Sequence, residues 1–96
     1  MSKSIMKNNY KGICYLCKRC TNTENHHIFG GANRKKADKE GLTVYLCHYC
    51  HNEAPNGVHF NREQNIRLKQ MGQRTWMKHY NKTIEDFIKE YGKNYI

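Results

Sequence analysis

The chain has 96 residues, 38% of them hydrophobic, and its 17 lysines and arginines outnumber 8 acids for a net charge of +9. A domain this short buries only about 60–68% of its unfolded surface, so it usually needs disulfides, a metal or a partner chain to be stable. The sequence has no apolar run near the roughly 20 residues of a membrane span, and its start does not resemble a signal peptide. We therefore expect a single cytoplasmic domain without a membrane anchor. Its charge favours nucleic acid as a partner over a merely soluble basic surface.

The first features along the chain are a basic lead-in and a cysteine pair. Residues 1–12 are polar and rich in lysine, and we expect them to be flexible. Cys14 and Cys17 then predict a tight turn, since two intervening residues let both thiolates reach one metal ion. Cys47 and Cys50 repeat this spacing about thirty residues later. Two such pairs predict one tetrahedral structural Zn²⁺, on which folding would depend.

Two alternatives to this four-cysteine site stay open at this point. Cys20 also has the right spacing from Cys17, but we favour Cys14, because Cys20 lies in the polar run that leads to the next strand. The cysteines could instead be small core residues or a redox dithiol. The odd total of 5 cysteines argues against a closed set of disulfides, and a reducing compartment favours a metal.

A first strand is predicted over residues 25–29, after a turn-forming run, and it contains His26 and His27. Neighbours in a strand point to opposite faces, so we expect these two histidines to have different roles. Residues 30–41 form the most basic segment and are predicted to be a loop between glycines. This loop is either merely solvated or binds phosphate beside the histidines, and we slightly favour phosphate binding.

The β-branched and apolar residues 42–46 predict a second strand, which forms a hairpin with the first. A short helix is expected to begin near Cys47–Cys50 and to carry His51, which the neighbouring zinc thiolate would hold rigidly. A turn is predicted over Ala54-Pro55-Asn56-Gly57, just before His59.

Two further helices are predicted after this turn. A long helix over residues 61–80 has a thin apolar stripe, although Gly72 within it lowers helix propensity by about 1 kcal/mol relative to alanine. A last helix begins at a capping box over Thr83–Asp86, continues with apolar residues at helical spacing and ends at Gly92. Either core or a dimer surface is formed by Trp76, Tyr80 and the apolar face of the last helix. Core is favoured, because so small a domain has few other large side chains.

These motifs taken together resemble the HNH endonucleases, which have the ββα-metal (His-Me finger) fold. The matching segments are Cys-x-x-Cys from Cys14, His-His-Ile-Phe-Gly-Gly from His26 and Leu-Cys-x-x-Cys-His from Leu46. They look most like the small HNH proteins of bacteriophages and prophages in Gram-positive bacteria. The resemblance implies an α+β fold with a zinc-stapled ββα core over residues 13–60 and C-terminal helices over residues 61–96.

The resemblance also implies a role for each histidine of the motif. His27 matches the general base that takes a proton from the attacking water, and His26 and His51 match ligands of a catalytic divalent ion. His59 is the next histidine available as a third ligand, because Pro55 occupies the position one helical turn after His51. The alternative role for His59 is to cap the long helix. The catalytic ion would be Mg²⁺, Mn²⁺, Ni²⁺ or Zn²⁺.

One position departs from the family pattern. The Asn at the centre of the HNH motif should fall near Gly41-Leu42-Thr43, where this chain has none. In the family this Asn helps to orient the base, so we expect another contact to do so here.

The resemblance therefore implies one HNH nuclease domain over residues 1–96. It would be a metal-dependent endonuclease that nicks or cuts DNA, leaving 5′-phosphate and 3′-hydroxyl ends, with a phage terminase or packaging protein as a further partner. The chain would act as a monomer or a homodimer. The alternative function is a non-catalytic zinc-ribbon module that binds nucleic acid, which leaves the histidines unexplained. The predicted phosphate contacts are Arg34, Lys35, Arg62, Arg67 and Arg74.

Overall fold

The computed structural model describes residues 3–53, 55 and 57–96. These residues form a mixed α/β structure with one two-stranded antiparallel sheet. The elements in chain order are β1 (Thr23–His27), a 3-10 turn (Gly31–Asn33), α1 (Arg34–Glu40), β2 (Thr43–Cys47), α2 (His48–Asn52), α3 (Arg62–Tyr80) and α4 (Ile84–Tyr91). Within the described ranges, no helix is long and apolar enough to cross a membrane.

The two strands pair as the predicted hairpin, but β1 occupies an earlier stretch of the chain than residues 25–29. In the ladder His26 lies opposite Val44, and His27 lies opposite Thr43. The strand ends at His27, and the next two residues, Ile28 and Phe29, are buried in the core. Both histidines therefore lie at the end of the strand, beside the segment that leads into α1.

The expectation of a loop over residues 30–41 is wrong, because this segment contains the 3-10 turn and α1. Its lysine, alanine and glutamate residues are good helix formers, and they outweigh the flanking glycines as a local signal. Gly41 ends α1 in the left-handed conformation (φ 79°), which is a common way for a helix to stop. The helix is anchored by Ala37, whose side chain is fully buried.

The two C-terminal helices are those that the sequence predicts. Asn61 caps α3 by accepting a hydrogen bond from the Gln64 N–H at 3.1 Å. Thr83 and Asp86 form the capping box that begins α4, and Gly92 ends it. The caps satisfy backbone groups that the helix termini would otherwise leave without partners.

An aromatic cluster fills the core between α1, α3 and α4. Trp76 is buried and packs edge-on against Phe87, with 5.4 Å between the ring centroids. Glu40 joins α1 to this cluster, because its Oε1 accepts hydrogen bonds from Trp76 Nε1 (3.1 Å) and the Tyr91 hydroxyl (2.6 Å). Trp76 is thus core, as favoured, whereas Tyr80, Ile84 and Ile88 are exposed, so the prediction holds only in part. The Glu40 contacts fix α1 against the C-terminal helices.

The predicted turn after α2 is described only in part. Ala54 and Asn56 lie outside the described residues, as do Met1 and Ser2 of the predicted lead-in.

Candidate metal centres and the histidine pocket

The four cysteines of the two Cys-x-x-Cys pairs come together in one cluster. Each offers a sulfur, and these four atoms lie within 4.8 Å of one another. The Cys17 and Cys47 sulfurs are 3.7 Å apart. A tetrahedral zinc site with Zn–S bonds of about 2.3 Å has sulfurs about 3.8 Å apart, so this spacing fits the metal. The cluster can therefore hold a metal ion such as zinc.

Each pair closes the same local turn. The Cys17 N–H donates to the Cys14 sulfur, and the Cys50 N–H donates to the Cys47 sulfur, both at 3.5 Å. A hydrogen bond of 2.8 Å from the Tyr15 N–H to the Tyr45 carbonyl joins the first turn to β2. The strand and the two turns thus bring four distant sulfurs to one point.

Amide donors also favour the ionised sulfur that binds metals. Burial alone would raise the pKa of the Cys14 thiol, but backbone hydrogen bonds from Cys47, Cys17 and Leu16 lower it to about 6. Burial raises the pKa of the Cys50 thiol, and the neighbouring sulfurs raise it further. Four adjacent thiolates repel one another, so all four can ionise only with a cation between them. A zinc ion would supply that positive charge.

Cys20 does not belong to this cluster. It is exposed, and its backbone bridges to Ile13 instead. The structure therefore groups the pair that we favoured, Cys14 with Cys17, and leaves the alternative partner outside.

Three histidines from separate parts of the chain form a second cluster. One ring nitrogen each from His26, His51 and His59 lies within 4.8 Å of the others. The ring centroids are 4.8 to 5.4 Å apart. The chain returns to α2 at this point, since the His59 N–H donates to the His51 carbonyl at 3.4 Å. This hydrogen bond places His59, which follows the predicted proline turn, beside His51 of α2.

His26 provides the strongest sign that this second cluster binds something. Its Nε2 is buried and has no hydrogen-bond partner among the residues that the structure describes. A buried polar atom without a partner is rare in folded proteins and usually marks an absent water, ion or ligand. Burial and the neighbouring His51 and His59 lower the pKa of His26 to about 3. Its imidazole is therefore neutral, which is the form that coordinates metals.

Glu24 supports the cluster from outside. Its Oε1 lies 2.7 Å from His51 Nδ1 and accepts a hydrogen bond from the Asn52 amide at 3.0 Å. His51 Nδ1 then carries the proton, so Nε2 has its lone pair available for a metal. A carboxylate behind a histidine ligand is the usual second layer of a metal site. The sequence contained one signal for Glu24 that we missed. Residues two apart in a strand point to the same face, so Glu24 and His26 share a face of β1.

His27 lies outside the three-histidine cluster but opens into the same pocket. A cavity of about 310 Å³ is lined by Asn25, His26, His27, Gly30, Gly31, Arg34, His51 and His59. His27 Nε2 lies 3.1 Å from Asp38 Oδ1 of α1, a contact that sequence reasoning missed. One pocket thus combines the three candidate ligands with a fourth histidine and an arginine.

The predicted phosphate contacts divide into two groups. Arg34 lines the histidine pocket, and it shares a neighbouring cavity of about 510 Å³ with Lys35, His27 and Asp38. The other three lie on α3 and do not line either cavity: Arg62, Arg67 and Arg74. Of these, Arg67 pairs with Glu63 at 3.0 Å.

No protein-family model, curated protein or solved structure matches this chain. The resemblance to HNH endonucleases therefore rests on the motifs themselves, and the function is argued from the two clusters and the pocket.

Proposed function

We propose that the chain is a metal-dependent DNA endonuclease of the HNH type. The observation that carries this proposal is the shared pocket, in which His26, His51 and His59 converge next to His27 and Arg34. If these side chains had pointed to separate surfaces, the structure would have argued against a hydrolase. A zinc-binding scaffold alone also has no need for a buried imidazole nitrogen without a partner.

The element order also supports the ββα-metal assignment. β1 ends at His27, β2 pairs with it, and α2 follows at once with His51. In this proposal the four cysteines bind structural Zn²⁺ and hold α2 at the end of β2. The connection between the strands carries α1, which supplies basic side chains to the pocket.

The three imidazoles fit a catalytic divalent ion. Three protein ligands with an open position are typical of catalytic metal sites, whereas structural zinc sites have four. Imidazole ligands suit zinc and nickel, and Mn²⁺ or Mg²⁺ would rely more on water. Such an ion would polarise the phosphodiester and stabilise charge on the leaving oxygen.

The other side chains of the two cavities have separate roles in hydrolysis. His27 takes the proton from the attacking water as general base. Arg34 binds the phosphate that faces the metal ligands, and Lys35 binds a neighbouring phosphate. The products would be 5′-phosphate and 3′-hydroxyl ends. A single pocket per chain nicks one strand, so a double-strand cut would need a homodimer or two encounters.

Plasmid nicking tests the proposal directly. The zinc-loaded protein is incubated with supercoiled plasmid and Mg²⁺, Mn²⁺, Ni²⁺ or added Zn²⁺, beside His27→Ala and His79→Ala. His79 is an exposed histidine of α3 and serves as the matched control. We expect nicking by the parent and His79→Ala, and a loss of about 10²–10⁴-fold in His27→Ala. Equal nicking by His27→Ala would refute the role of the base.

The second candidate is a non-catalytic zinc module that binds nucleic acid. The four-sulfur cluster and the net charge of +9 favour it equally well. It predicts salt-sensitive DNA binding without nicking under any of the ions. That result would replace the nuclease proposal, together with the phage terminase or packaging partner that the resemblance implies.

A further inference from the structure

His27 is held by a carboxylate from a different element of the fold. Its Nε2 lies 3.1 Å from Asp38 Oδ1, and the two side chains are 17% and 31% exposed. The partial burial of both groups shields their contact from solvent, which strengthens a charge-assisted hydrogen bond. Asp38 also lines the cavity that it shares with His27 and Arg34.

The position of Asp38 is fixed by contacts on the other side of α1. Ala37, its neighbour, is buried and accepts a hydrogen bond from the Leu42 N–H at 2.8 Å. Asn33 donates to the Tyr91 carbonyl at 3.1 Å, at the start of the helix. Glu40 binds Trp76 and Tyr91 at its end. The core of the C-terminal helices thus holds α1 against the end of β1.

A carboxylate beside one ring nitrogen of a histidine favours the tautomer that carries its proton on that nitrogen. An ionised carboxylate only accepts hydrogen bonds, so Nε2 must be the protonated nitrogen in a neutral ring. Nδ1 is then left with the free lone pair. A general base needs its lone pair at one defined atom, and the hydrogen bond on the opposite nitrogen is what defines it.

We infer that Asp38 is the positioning residue for His27, and that it does the work of the Asn missing near Gly41-Leu42-Thr43. It holds the imidazole in the Nε2–H form, so that Nδ1 accepts the proton of the attacking water. The carboxylate also offsets the positive charge that the ring acquires in that step. This inference rests on the proposed nuclease function.

The test combines nicking kinetics with Asp38→Ala, Asp38→Glu and a charge-matched control, Glu85→Ala. Glu85 is exposed in the first turn of α4, far along the chain from α1. We expect kcat of Asp38→Ala to fall about 10- to 100-fold, with KM unchanged or lower, because the lost charge weakens repulsion of DNA. Asp38→Glu should recover part of the rate, and Glu85→Ala should match the parent.

Nitrogen-15 spectroscopy of the zinc-loaded protein gives an independent readout. In the parent we expect His27 as the Nε2–H tautomer, and in Asp38→Ala a mixture of both tautomers. An Nδ1–H tautomer in the parent would overturn the inference, whether or not the variants fold. Zinc content and circular dichroism establish that a loss of rate is not a loss of structure.

The results also separate this inference from the proposed function. If His27→Ala is inactive and Asp38→Ala nicks like the parent, Asp38 has no positioning role and the nuclease proposal stands. If the parent fails to nick with every ion, the nuclease proposal falls. The tautomer of His27 then still reports whether Asp38 orients the ring.

Discussion

The two candidate metal centres both take residues from the hairpin and α2, yet they are built in opposite ways. The cysteine cluster has four candidate ligands of one kind, three of them buried, which is the number that fills the coordination of a tetrahedral ion. The histidine cluster has three ligands, and its pocket also admits His27 and Arg34. A closed set of ligands is suited to stabilising a fold, and an open set to chemistry. The comparison therefore predicts that one site controls stability and the other activity.

The backbone connects these two sites at α2. Cys50 belongs to the first cluster and His51, the next residue, belongs to the second. A metal ion bound by the cysteines would therefore also hold His51, because His51 directly follows one of the ligands. Preorganisation of this kind would let a domain of 96 residues position the proposed active site without a large core.

Loss of the thiolate-bound metal should have the largest effect. Structural zinc contributes about 10–16 kcal/mol, against total stabilities of about 5–15 kcal/mol for small proteins. Strong chelation, or Cys14→Ser, is therefore expected to unfold the chain, as measured by circular dichroism. Cys20→Ser is the matched control, because Cys20 is exposed and outside the cluster. A melting curve that does not move when the metal is removed would exclude a structural role.

His26→Ala should break the second site and leave the first intact. We expect the zinc-loaded protein to lose its second, Ni²⁺-binding site in calorimetric titration and to lose nicking. The circular dichroism spectrum and the zinc content should stay those of the parent, since His26 is not a ligand of the cysteine cluster. Unchanged Ni²⁺ binding would show that the three imidazoles do not share an ion.

Glu24→Gln should weaken the open site without abolishing it. The carboxylate holds His51 by a 2.7 Å contact, and loss of a supporting group of this kind lowers metal affinity about 10- to 100-fold. That factor corresponds to about 1.4–2.7 kcal/mol. Glu53→Gln is the control, because the Glu53 carboxylate lies 3.4 Å from the exposed His48, which is not a candidate ligand of the cluster. Equal Ni²⁺ affinity in both variants would show that Glu24 does not support the site.

Local signals in the sequence were sufficient for the parts of the fold that depend on neighbouring residues. The capping box at Thr83, the hairpin and the two cysteine turns are all short-range features, and all were predicted. α1 was missed because its flanking glycines were given more weight than its helix-forming residues. The contacts that fix it against Trp76 and Tyr91 also join residues far apart in the chain. Asp38 was missed because tertiary packing brings it to His27, and no short pattern records that contact. Packing also brings Glu24 to His51, although the face of β1 that Glu24 shares with His26 was a short-range signal.

Gly72 is the last case, and it should show the smallest effect. Alanine at this position would gain about 1 kcal/mol of helix propensity. Its Cβ would lie 3.0 Å from Ile28 Cγ2 and 3.2 Å from Phe29 Cε2, however, and overpacking a core costs about 1–3 kcal/mol. The residues that would have to move directly follow His27 on the chain. We therefore expect Gly72→Ala to destabilise the protein by about 1 kcal/mol in chemical denaturation, and to lower nicking as well. Met71→Ala, at an exposed neighbour, is the control. If Gly72→Ala were instead more stable than the parent, Ile28 and Phe29 would be able to move aside at little cost. The histidine pocket would then be less rigid than the thiolate cluster beside it.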